Sequence, residues 1–445
     1  MAYSGSVTRQ ETGWKERLGD YRNVLAVTIA LTMLQGASAA LSVMIALSLA
    51  DAGVSNAGLG LVAAFFAGGF LMGALLSPAQ ISRIGHIRSF AFFAAIAIIA
   101  ALSFTLGVSL IGWALVQGVI GICTSALFTA GESWIADAAP ADSRGSILSF
   151  YHVVSKLGAV GGPFLIMAGA GGAGGFLIVA VLFALTILPI TATRQSQPEL
   201  STGKPFGPRR IFRLAPAAAI AAFCAGAVNN SVAQLYPVYA QVVAPDQVAS
   251  FAANFNAAIL GGAIVGLWPA GMISDRIDRR LVIAATGLIG AVCALGLGLV
   301  AGVAPQVLIF VLGFGYGVGA LSFYAIAVAH AADRAEANQA TPMMAGIIVL
   351  WGIGSIVGPP VAGLIMTPFG GAGLFFYASG ALALLAALMF TRTVNADPVG
   401  ESDKEPFNAT QATSLALSDL DPRGEEENEQ FDLFLAWMAS QETDE

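Results

Sequence analysis

"GMISDRIDRR", Gly271 to Arg280, places five charged side chains in its last six positions. Apolar runs lie on both sides of it, at about 250–273 and 281–302. A membrane core does not accept such a cluster, so the stretch reads as a water-facing turn between two spanning helices. Its composition is the exception in this chain. Of 445 residues, 57% are hydrophobic and only 11% are charged, against about half and a quarter in an ordinary soluble domain.

Extending outward from that turn gives twelve apolar spans. The first half holds 23–50, 57–80, 88–106, 109–133, 146–169 and 172–192. The second holds 214–241, 250–273, 281–302, 305–330, 341–366 and 371–391. Backbone groups in lipid must be satisfied within the segment, so all twelve are helices. The fold class is an all-α membrane protein built as two pseudo-symmetric six-helix bundles. The domains follow: an N-terminal segment 1–22, a first bundle 23–192, a linker 193–213, a second bundle 214–391 and an acidic tail 392–445. Within the tail, Phe431, Phe434, Leu435 and Met438 share one face of a short terminal helix.

Basic residues set the orientation. Nineteen of the twenty Lys and Arg lie in the N-terminal segment, the even-to-odd loops and the tail. The positive-inside rule makes that side the cytoplasm, with both termini there, in the inner membrane. The tail carries three basic and fourteen acidic residues, so the low overall pI belongs to the tail. The twentieth basic residue is Lys156, inside span 5.

The halves repeat. "ISRIGHIR" after span 2 parallels "SDRIDRRL" after span 8, and "GAVGGPFLIMAG" in span 5 parallels "GSIVGPPVAGLI" in span 11. The offsets of 193 and 196 residues imply two copies of one unit. With "GMISDRIDRR", "GSIVGPPVAG" and "LVQGVIG" in span 4, the sequence resembles the major facilitator superfamily (MFS). Departures exist: Ser82 replaces the Asp of the first-half turn, Ala114 replaces the Arg of the span 4 signature, and the Gly-Pro pattern is fuller on span 11 than on span 5. "GESWIADAAPADSRG" and "AHAADRAEANQAT" are similar to segments of a poorly characterised bacterial subgroup.

The resemblance implies a cytoplasmic gate at Asp275, Arg276 and Arg279, with Arg83, Glu132, Arg144 and Asp333 at equivalent depth. Gly158, Gly162, Gly354 and Gly358 fall four apart in pairs, beside Pro163 and Pro359, and read as close-packing positions. A substrate site is expected at mid-depth. Lys156 lies about 15 Å along span 5, beyond the comfortable reach of either interface, with no acidic residue at that depth. His152 shares its helix face. Gln35, Asn229, Asn230, Asn254 and Asn256 are the other mid-span polar candidates; only one of the last two can face a cavity squarely.

Three scattered histidines and three unpaired cysteines form no metal or disulfide pattern. "TGKP" lacks the Gly and Ser/Thr of a phosphate-binding loop. No nucleophile–base set occurs at one membrane depth, which disfavours an enzyme. The expected protein is a monomeric secondary transporter of a small solute with an anionic or acceptor-rich group. A proton is a candidate coupling ion; no cofactor, metal or nucleic acid is expected. Export of drugs or metabolites is the alternative within the fold. A membrane scaffold or sensor acting through the tail is the alternative outside it.

Overall fold

The structure is a computed structural model that describes residues 5–138, 144–167, 173–192, 205–335 and 339–395, with tail residues 404, 407 and 412–414. The proposed terminal helix at 431–438 lies outside the described residues.

Among the described residues, twelve helical spans are present. Spans 1 to 6 are Gly5–Asp51, Asn56–Ile84, His86–Ser103, Leu110–Ala138, Arg144–Met167 and Ala173–Ala192. Spans 7 to 9 are Pro216–Val243, Val248–Arg276 and Arg279–Leu299. Span 10 is broken, Gln306–Ala320 then Phe323–Ala332. Spans 11 and 12, Ala340–Phe369 and Gly373–Asn395, are joined by a single 3-10 turn at Gly370–Ala372. The linker adds one short helix, Pro208–Leu214, which the hydropathy pattern does not reveal. His86 is not a loop residue as its surroundings in sequence suggest. It is buried at the first position of span 3.

The repeat seen in sequence reappears as packing. Span 1 lies on span 5 as span 7 lies on span 11; span 2 on span 4 as span 8 on span 10; span 3 on span 6 as span 9 on span 12. Glycine makes the first pairing close. A Cβ on Gly158 would sit 2.0 Å from the Thr32 carbonyl oxygen, and on Gly162 2.1 Å from that of Gly36. In the second half, Gly354 and Gly358 stand 2.0 and 2.1 Å from the carbonyl oxygens of Phe223 and Ala227 by the same measure. With almost no hydrophobic drive between helices in lipid, such backbone approach supplies the packing energy. Spans 5 and 11 remain helical through Pro163 and through Pro359 and Pro360.

The bundles meet through spans 2 and 11, 5 and 8, and 1 and 7. At the face away from the basic loops the contact is tight. Asn56 Nδ2 donates to the Met366 carbonyl at 3.0 Å, and Gln241 Nε2 to Asp51 Oδ1 at 3.3 Å. Gly60 abuts the Pro359 carbonyl, where a Cβ would come within 2.3 Å. Large apolar side chains such as Leu76, Ile99 and Trp268 are exposed, as a lipid-facing surface requires.

Candidate functional site

Between the bundles lies a cavity of about 320 Å³, within the size range of small-molecule sites. Lys156 of span 5 lines it, together with Gln35, Ser38 and Ser42 of span 1. The second bundle contributes Asn229, Asn230 and Gln234 of span 7 and Asn256 of span 8. An aromatic wall completes it: Phe66, Phe70 and Phe128 from one half, Tyr236, Tyr324 and Trp351 from the other. Phe70 and Trp351 meet edge to face across the bundle interface, with centroids 6.2 Å apart.

Among the described residues, no carboxylate stands in this lining. Among the described residues, the Lys156 ammonium has neither an ion-pair nor a hydrogen-bond partner. Several wall groups are likewise unpartnered there: Ser38 Oγ, Thr124 Oγ1, Asn229 Oδ1, Tyr236 Oη and Tyr324 Oη. Buried polar groups without partners carry a desolvation cost. Their grouping around one cation marks a surface suited to a polar solute.

Two wall amides also join spans. Asn256 Nδ2 donates to the Ala159 carbonyl at 3.0 Å, bridging spans 8 and 5 one turn from Lys156. Asn230 Nδ2 donates to the Ser355 carbonyl at 3.1 Å. Asn254 does not line the cavity. Its side chain is exposed and donates to the Ser250 carbonyl, because two residues turn the helix about 200°. His152 is also outside the lining. It is buried beside the Tyr151 ring, and both its ring nitrogens are unpartnered among the described residues. The break in span 10 falls where Leu321 and Tyr324 reach the cavity. The glycine-rich "GFGYGVGA" before the break is the signal for it in the sequence.

The charged candidates at the basic face separate into two groups. In the second bundle, Arg279 makes a two-pronged contact with Asp333, Nε to Oδ2 at 2.6 Å and Nη2 to Oδ1 at 3.2 Å. It also bonds Ser274 Oγ at 3.1 Å and pairs with Asp275 at 3.3 Å. Both Arg279 and Asp333 are about 1% exposed, which makes this a desolvated clamp within one bundle. Arg276 and Arg83 are exposed. The side chain of Arg144 lies outside the described residues. Glu132 is fully buried in the first bundle and accepts from Tyr151 Oη at 2.6 Å. Its other partners, Thr413 and Ser414, come from the tail. The sequence reading missed Tyr151 and both tail hydroxyls, which no periodicity or spacing connects to Glu132.

A sequence model of the Major Facilitator Superfamily matches residues 27–320 and 248–437. An uncharacterized MFS-type transporter, YcaD of Salmonella typhi, is 26% identical over 383 residues, covering 85% of this chain and 97% of the relative. Among solved structures, the nucleoside transporter NupG superposes with a TM-score of 0.66 at 12% identity, over 83% of this chain and 98% of that one. A D-xylose-proton symporter superposes with a TM-score of 0.66 at 16% identity, over 83% and 97%.

Proposed function

The chain belongs to the major facilitator superfamily, and from that premise we propose a secondary transporter working by alternating access in the inner membrane. Its substrate is a small solute with an anionic or acceptor-rich group, bound at Lys156. The basic face is cytoplasmic, as its nineteen Lys and Arg indicate.

The carrying observation is that, among the described residues, the Lys156 ammonium has no partner and no acid lines its central cavity. A charge held at mid-depth is costly to insert, and a ligand carboxylate, phosphate or carbonyl offsets that cost when bound. Gln35, Asn229, Asn230 and Asn256 surround it with amides that accept or donate. The aromatic wall gives the solute an apolar face to lie on. The tight packing of spans 2 and 11 at the outer end corresponds to a closed extracellular side. The proton is the first coupling ion to test, since a D-xylose-proton symporter shares the fold.

A thermal-shift screen of purified protein against anionic and polyhydroxylated solutes identifies a ligand, because binding stabilises the folded state. Flux of that ligand in proteoliposomes is then compared in Lys156→Ala, Lys156→Gln and Lys156→Arg at matched expression. Loss of a charge-assisted contact predicts a fall of about 10- to 100-fold in the Ala and Gln variants. Wild-type flux in all three removes Lys156 from the substrate site.

A further inference from the structure

Among the described residues, the tail hydrogen-bonds to a carboxylate of each bundle at the basic face, Asp275 and Glu132. In the second bundle, the backbone N–H of Phe407 donates to Asp275, at 3.1 Å to Oδ1. The Phe407 ring lies over Gly271, where a Cβ would come within 2.2 Å of it. Lys404 Nζ donates to the Ile277 carbonyl at 2.9 Å. In the first bundle, the Thr413 and Ser414 hydroxyls donate to the two oxygens of Glu132. Thr413 and Ala412 also line the central cavity. The two anchors thus lie on different bundles, one on span 8 and one on span 4.

We propose that the tail is a strap across the cytoplasmic mouth of the cavity, with Glu132 as its receptor in one bundle and the Gly271–Asp275 end of span 8 as its receptor in the other. Glu132 is 0% exposed and has no cationic partner among the described residues. Such a buried carboxyl needs hydroxyl or N–H partners for its oxygens. Tyr151 supplies one donor from within the bundle, and the tail supplies the others. Gly271 adds an independent feature, since its missing side chain is the seat of the Phe407 ring. Residues 404, 407, 413 and 414 thus fit two prepared surfaces at once. While seated, the strap bars the route between cavity and cytoplasm, and it holds the bundles at one separation. It inhibits opening in cis, and its release precedes each exchange of solute with the cytoplasm.

The test reads access to the cavity and does not require transport. In full-length purified protein lacking its three native cysteines, Ala39→Cys places a thiol in the cavity wall. The outer end is closed by spans 2 and 11, so a bulky maleimide reaches it through the mouth. The Thr413→Ala/Ser414→Ala pair, and truncation after residue 395, are expected to raise the labelling rate at least about tenfold, since each hydrogen bond to a charged group shifts an equilibrium by that order. Gly271→Ala unseats the Phe407 ring while leaving the tail sequence unchanged, and the same direction is expected. A free peptide of residues 400–420 added to the truncated protein slows labelling again. Equal rates in the full-length, double-substituted and truncated proteins overturn the strap, whatever the outcome of flux measurements at Lys156.

Discussion

The turn between spans 2 and 3 and the turn between spans 8 and 9 are one motif in two chemical forms. Aligned at the repeat offset, Ser82 matches Asp275, Gly85 matches Asp278 and His86 matches Arg279. In the second half, Arg279 reaches across to Asp333 at the end of span 10, and the contact is ionic. In the first half, His86 Nε2 meets Ser133 Oγ of span 4 at 2.9 Å, and the contact is neutral. Both first members are buried at the start of a helix. The same tie between helix turn and neighbouring span is made with and without charge. Glu132, next to Ser133, is buried on that side, and Thr413 and Ser414 of the tail bond it. The repeat therefore preserves geometry, while the chemistry has diverged according to what each half must contact.

That comparison is broken most severely at Asp333. Asp333→Ala leaves the Arg279 guanidinium buried without its two-pronged partner, and a loss of about 3–5 kcal/mol is expected. Thermal unfolding in detergent measures it; a loss under 1 kcal/mol would make the clamp merely a surface pair. Ser133→Ala is the neutral counterpart. It removes one hydrogen bond from a buried imidazole and should cost about 1–2 kcal/mol by the same assay. If the two variants cost the same, the ionic and neutral ties are energetically equivalent.

Asp278 separates the turns most finely. It caps span 9 by accepting from the Arg280 N–H at 2.9 Å, and it binds the Arg280 side chain at 2.6 Å. Gly85, its counterpart, makes no side-chain cap and holds a φ of 84°. Burial raises the Asp278 pKa, but the Arg280 hydrogen bonds and charge outweigh it and leave the carboxyl below its ordinary value. Its contribution is thus present above the unfolded pKa near 4 and is lost as pH falls through the lower folded value. Asp278→Ala should lower stability by about 1 kcal/mol at pH 7. Its gap from wild type should close below about pH 4. A gap independent of pH would assign the effect to helix propensity instead.

Span count, basic face and repeat were legible because hydropathy and charge act locally. A run of apolar residues crosses lipid, and Lys and Arg stay on one side, whatever the rest of the chain does. Lys156 was legible for the same reason, as a charge out of place. The i, i+4 glycines announced close contact, though not that their partners are the backbones of spans 1 and 7. Asn254 and Asn256 were indistinguishable by composition; helix rotation put one in the wall and the other outside. His152 shares the Lys156 face in sequence, yet it lies outside the cavity lining, against the Tyr151 ring.

The sequence by itself determined a twelve-span membrane protein in two related halves, its basic face, and one cation at mid-depth. Each follows from transfer of single residues between water and hydrocarbon. Only the tertiary structure decided which amides and aromatic rings surround Lys156, that Arg279 and Asp333 close a clamp within one bundle, and that Glu132 receives Tyr151 and two tail hydroxyls. Thr413 lies 281 residues from Glu132. A hydrogen bond depends on atoms within about 3 Å, and no local pattern encodes which distant hydroxyl the packing of twelve helices brings there.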